Sequence, residues 1–105
     1  MIVELDLFSG RPNPRWELDD RSATALRRLQ STLRPADRAP AEPPGLGYRG
    51  FSYVDGAESG RAYKGYVRTR RAVLADPGFK VERFLLDTLP SDFAGLRQRI
   101  APELR

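Results

Sequence analysis

Residues 8–16 read FSGRPNPRW and put a guanidinium, a carboxamide and an indole into one short loop. Arg11 offers a planar fork of donors that matches a carboxylate or a phosphate. Asn13 both donates and accepts, and Trp16 supplies a flat apolar wall with a single N–H. Pro12 and Pro14 fix their own φ angles and hold the preceding Arg11 and Asn13 extended. Such a loop loses little entropy on ordering, so its polar groups are aimed before a ligand arrives. This is the chemistry of recognition, of a protein, a peptide or a small anionic ligand. Tyr48 and Arg49, at a second loop-to-strand junction, can complete the site. The same residues also have a structural use. Asn before Pro forms turns by bonding its own backbone, Arg11 can hold the carbonyls of a crossing chain, and Trp16 can belong to the core.

Two further constellations carry chemistry. Arg68, Arg70 and Arg71 form the densest basic cluster. With Tyr63 and Tyr66 they would make a strand surface that stacks bases and contacts phosphates, as single-strand binders do. Charges on an exposed strand also discourage edge-to-edge aggregation. Glu4 and Asp6 lie two apart and share a strand face, where a carboxylate pair can do acid–base work if one member has a raised pKa. Their plainer role is a solvated face paired with Lys64, Arg68 or Arg70 on a neighbouring strand. The string GLGYRG at 45–50 satisfies G-x-G-x-x-G, but a dinucleotide site needs that pattern between a strand and a helix. Here a Pro-rich stretch precedes it and strand signals follow, so Gly47 and Gly50 are read as loop-exit and close-crossing residues.

Composition narrows the classes. The chain has neither cysteine nor histidine, which excludes disulfides and thiolate chemistry and removes the commonest metal ligand and general base. No cofactor or metal is expected, and the prior for catalysis falls. The net charge of +4 and the pI of about 10.0 suit an anionic partner. Only Lys64 and Lys80 are lysines among the 18 basic residues, a bias typical of a GC-rich genome, and the acidic residues are interspersed with the basic ones. No basic leader precedes an apolar run, and no stretch approaches the roughly 20 apolar residues that span a bilayer. The expectation is a cytoplasmic protein without membrane contact.

These residues must be positioned by a small set of elements. Val3, Leu5 and Leu7 alternate with Glu4 and Asp6, the period of a half-buried strand over 2–8. A helix is predicted over 20–33, with Asp19, Asp20 or Ser22 at its start and Leu26, Leu29 and Leu33 on one stripe. RPADRAPAEPPGLG at 34–47 is a Pro-rich internal loop. Strand signals return at 48–54, the segment DGAESG turns the chain, and a partner strand runs over 62–69 with RAVLA continuing it or forming another strand. Helices are predicted over 81–89 and from Ser91 or Asp92 to Ile100. The order predicts one α+β domain over 1–105, a mostly antiparallel sheet of three to four strands with about three helices on one face. An exposed strand edge of such a sheet can also accept a peptide strand.

LDLFSGRPNPRWEL near the N-terminus, GLGYRGF in the middle and the later ERFLL resemble an uncharacterised family of small bacterial proteins with an F-S-G-R-P-N-P-x-W signature. The resemblance covers most of the chain. It implies no activity and marks Ser9, Gly10, Arg11, Pro12, Asn13, Pro14 and Trp16 as shared positions. The reading of the sequence is therefore a non-enzymatic binding module built on Arg11, Asn13, Trp16, Tyr48 and Arg49. Nucleic-acid binding through Arg68, Arg70 and Arg71 is the alternative, and an enzyme using Glu4 and Asp6 the third.

Overall fold

In a computed structural model, which describes residues 1–8, 12–38, 40, 42, 43, 45 and 47–104, the N-terminal alternation forms a strand, β1 (Ile2–Leu5). It is flanked on both sides by antiparallel partners, β2 (Arg15–Glu17) and β4 (Phe51–Asp55). From β4 the chain meanders through β5 (Glu58–Tyr63), β6 (Tyr66–Thr69) and β7 (Val73–Ala75), and β3 (Arg34–Pro35) lies on β7 at the far edge. The sheet order is β2-β1-β4-β5-β6-β7-β3.

The α+β class stands, with an antiparallel sheet and three helices, α1 (Asp20–Ser31), α2 (Lys80–Asp87) and α3 (Ala94–Ile100). The expected three to four strands are corrected to seven among the described residues. Strands β2, β3 and β7 are two or three residues long, too short to display a period of two. The partner strand expected over 62–69 is two strands. Lys64 (φ 49°) and Gly65 (φ 84°) both adopt left-handed backbone between them, the conformation of a tight hairpin turn whose twist suits the flanking strands.

Side-chain parity builds the core. Val3, Leu5, Phe51, Tyr53, Ala62 and Val67 share one face of the sheet and are buried. The helices bring Ala23, Leu26, Val81, Leu85 and Ile100 into the same cluster. Asp19 caps α1 by accepting from the Ser22 N–H at 2.7 Å, which satisfies one of the donors a helix start leaves unpaired. The other face of the sheet carries Ile2, Glu4, Ser52, Val54, Arg61 and Arg68, all at least partly exposed. Both edges are poor templates for an added strand. The strand β2 is three residues long and alternates charged Arg15 and Glu17, while β3 holds only Arg34 and Pro35, and proline removes a ladder donor.

Candidate recognition surface

Asp6 is the hub of the outer face. Its Oδ1 accepts from Arg49 Nε at 3.1 Å and from the Asn13 amide at 3.3 Å, and its Oδ2 accepts from Arg61 Nη1 at 3.2 Å. Each donor comes from a different place, and the sequence explains why they meet. Pro14 restricts the backbone of Asn13 before it to extended geometry, and the Asn13 side chain reaches back to the strand end. Its Oδ1 accepts the N–H groups of Leu7 and Phe8 at 3.0 and 2.7 Å, while its amide also donates to Glu4 Oε2 at 3.1 Å. Arg49 arrives where the Pro-rich segment rejoins the sheet and donates to the carbonyls of Gly45 and Phe8, both at 3.0 Å. Next to it Gly50 (φ 94°) allows the crossing, because a Cβ there would stand 2.3 Å from the Ala62 carbonyl oxygen.

Cross-strand register extends this network into a row. Glu4 stands opposite Arg15 on one side and Ser52 on the other, Ser52 opposite Arg61, and Arg61 opposite Arg68. Like charges directly opposed across a ladder are unfavourable. Arg61 is offset by Asp6, whereas Arg68 is exposed and has no ion-pair partner among the described residues. The neighbouring row pairs Tyr63 with Tyr66. Tyr63 leans on the buried ring of Tyr48, their centroids 5.7 Å apart. A shallow hollow of about 40 Å³ gathers Arg61, Arg68 and both tyrosines beside Pro40 and Pro43. Two guanidinium groups and two rings thus share one open surface.

The residues singled out from sequence separate into groups. Arg11 lies outside the described residues, as do Ser9 and Gly10. The structure brings Asn13 and Arg49 together on Asp6. Trp16 is turned away from them into the core, its ring edge-on to Phe51 and its Nε1–H donating to Thr88 Oγ1 at 3.1 Å. Tyr48 is likewise buried, with its hydroxyl donating to Glu82 Oε2 at 2.5 Å. Arg68 is on a strand, but Arg70 and Arg71 fall in the bend between β6 and β7. Arg71 approaches Glu58 at 3.7 Å instead of extending the face that Arg68 and Arg61 form. Glu4 forms an ion pair with Arg15 at 3.5 Å and accepts from Asn13, and Asp6 accepts from Asn13, Arg49 and Arg61.

Sequence reasoning missed the two fully buried acids, Glu82 and Asp76. Burial pushes both carboxyl groups above the usual carboxylate range, against the bonds donated to them. Glu82 Oε1 accepts the Gly65 N–H at 2.9 Å and so fastens the β5–β6 turn to α2. Asp76 accepts from the Lys80 and Val81 N–H groups at 3.1 and 2.8 Å, at the entrance to α2. Burial also raises the pKa of the Tyr48 hydroxyl, with the Glu82 charge adding to the effect. The available signals were weak. Asp76-Pro77 reads as a turn, and Glu82 lies one residue from the apolar Val81 in a helix whose other charges are exposed.

Away from this surface, a cavity of about 340 Å³ opens between α1 and the ends of β4, β5 and β6. Among the described residues, no group of His, Cys, Asp and Glu side chains is arranged to hold a metal ion, and no helix is long and apolar enough to cross a membrane. No family model matches the chain, and neither the curated proteins nor the solved structures contain a significant match.

Proposed function

We propose that the protein is a non-enzymatic recognition module that docks an acidic segment of a partner protein on the open face of its sheet. One observation carries this reading: Arg61 and Arg68 are directly opposed on adjacent strands, and only Arg61 is offset by a carboxylate. An arrangement that costs stability in the free protein is relieved when an anion bridges both guanidinium groups, each of which suits a carboxylate fork. Tyr63 and Tyr66 beside them supply flat apolar contact at low entropic cost. The FSGRPNPRW loop then acts at one remove. Asn13 and Arg49 fix Asp6, and Asp6 orients Arg61.

Glu4 and Asp6 on the neighbouring strand limit the anionic stretch that can be accommodated, which favours a short acidic segment over a long polyanion. The test titrates a fluorescent Asp/Glu-rich peptide against wild type, Arg68→Ala and Arg70→Ala. The expected result is a loss of about tenfold or more in affinity for Arg68→Ala, or roughly 1.4 kcal/mol, with a Tm equal to or above that of wild type because the opposed charges are relieved, and with the Arg70→Ala affinity unchanged. Equal affinities for wild type and Arg68→Ala would remove this reading. Single-stranded nucleic acid is a second reading, supported by the tyrosine pair beside two arginines. An oligonucleotide that outcompetes the peptide, with a salt slope of about −0.7 for each phosphate contact, would put it first.

A further inference from the structure

The cavity between α1 and the sheet lies on the helix-covered side and has no part in the outer surface. We infer that it binds a small amphipathic zwitterion of the α-amino acid type, with the apolar side chain inward and the charged end at Glu58 and Arg71. Its volume of about 340 Å³ falls at the lower end of the roughly 300–1,000 Å³ typical of small-molecule sites.

The floor is apolar and flat for a stated reason. The Tyr53 ring lies across Gly60, where a Cβ would come within 2.5 Å of that ring, and Leu26 stands beside it, almost fully buried. The Tyr53 hydroxyl is spent on Gln30 Oε1 at 2.5 Å. That leaves the Gln30 amide N–H groups, at the cavity wall, without a partner among the described residues.

The rim holds two pairs of opposite charge, and they differ in engagement. Arg27 and Asp55 are closed on one another by two hydrogen bonds of 2.7 and 2.8 Å. Arg71 and Glu58 stand 3.7 Å apart, beyond hydrogen-bond distance, with side chains 85% and 62% exposed. A ligand's ammonium and carboxylate can be set between them without breaking an existing hydrogen bond. A ligand with only a carboxylate would satisfy Arg71 and repel Glu58, and one with only an ammonium would do the reverse. Two charges of opposite sign on one carbon match both at once. The apolar remainder of the ligand then covers Leu26 and Tyr53, and burial of apolar area supplies the affinity.

The experiment records amide NMR spectra and calorimetry on the full chain with L-leucine at millimolar concentration. Its two truncated analogues, isocaproate (no ammonium) and isoamylamine (no carboxylate), and the variants Arg71→Ala and Glu58→Ala are compared with it. Leucine is expected to bind saturably and shift the amides of Gln30 and Thr69. Each analogue and each variant is expected to bind about tenfold or more weakly, with the Tm of both variants unchanged. Absence of leucine binding, an analogue that binds as well as leucine, or an Arg71→Ala protein with wild-type leucine affinity would overturn the inference. None of these results bears on peptide binding at Arg68, so the two sites are tested separately.

Discussion

Replacing Asn13 by alanine separates a loop that holds itself from a loop that waits for a ligand. The substitution removes the acceptor of the Leu7 and Phe8 N–H groups, now at 3.0 and 2.7 Å. It also removes the amide that donates to Glu4 and Asp6 at 3.1 and 3.3 Å. Each backbone bond contributes about 1 kcal/mol net, and more where the orphaned N–H stays away from water. The bonds to the two partly exposed carboxylates are longer and count for less. The sum is a loss of about 2–3 kcal/mol, or roughly 10–15 °C in Tm for a domain of this size. Urea denaturation with an unchanged m-value, together with a thermal scan, measures it. Asn13→Asp sharpens the test, because it keeps an acceptor for both N–H groups but places a third carboxylate beside Glu4 and Asp6. Repulsion would raise the pKa of the new group in the folded state, so this variant is expected to be weak at neutral pH and to recover as pH falls. If Asn13→Ala costs less than about 0.5 kcal/mol, the network is not what holds the loop, and its polar groups are available for binding.

Glu82→Gln tests the buried acid: glutamine can still accept from Gly65 and donate to the Tyr48 oxygen. Burial holds the wild-type carboxyl above its ordinary 4.5, so the stability that Glu82 gives relative to the Glu82→Gln variant is fully present below that value. It is lost as pH rises through the folded-state pKa. Denaturation profiles from about pH 4 to 8 should therefore diverge with rising pH, whereas parallel profiles would contradict a raised pKa. Gly50→Ala should cost about 3 kcal/mol or more, since it forces a side chain onto φ 94° with its Cβ 2.3 Å from the Ala62 oxygen; a Tm close to wild type would show that the crossing relaxes freely. Trp16→Phe keeps most of the apolar contact but deletes the indole bond to Thr88, so a loss of about 1–2 kcal/mol is expected in urea. No measurable loss would mean that the Thr88 bond contributes nothing.

What could be read from the sequence depended on local signals. The alternation of Val3, Leu5 and Leu7 with Glu4 and Asp6 marked β1, and Asp19 followed by a leucine stripe marked α1, because both patterns are complete within a few residues. Strands β2 and β3 are too short to carry a pattern, and their existence depends on partners elsewhere, β1 and β7. The break at Lys64-Gly65 was hidden because Lys in a left-handed turn has no propensity signature, unlike Asn or Asp before Gly. At the candidate site, the sequence placed Asn13 and Arg49 among five candidate residues, with Arg11, Trp16 and Tyr48. It could not reveal that Asp6 collects them together with Arg61, since that meeting depends on the register of three strands. For Trp16 and Tyr48 the sequence allowed both a binding role and a place in the core, and it could not choose between them: their direction is set by which face of β2, and of the chain leading into β4, turns toward the helices. Arg68, Arg70 and Arg71 looked like one cluster because sequence distance hides the bend after β6.

The position of β1 between β2 and β4 has a consequence for the order in which the chain emerges from a ribosome. Strands β1 and β2 can pair as soon as Glu17 is available, but the other flank of β1 waits for Phe51–Asp55. At about 5–20 residues per second, that is a delay of roughly 2–8 s. During it, Val3, Leu5 and Trp16 lack Phe51, Val81, Leu85 and Ile100, the later members of their core cluster. Strands β4 to β7, by contrast, are joined by short turns and can assemble from local contacts alone. The N-terminal hairpin is therefore made first and finished late, and the nascent chain is most exposed while its Pro-rich segment, which adds few apolar side chains, is being synthesised.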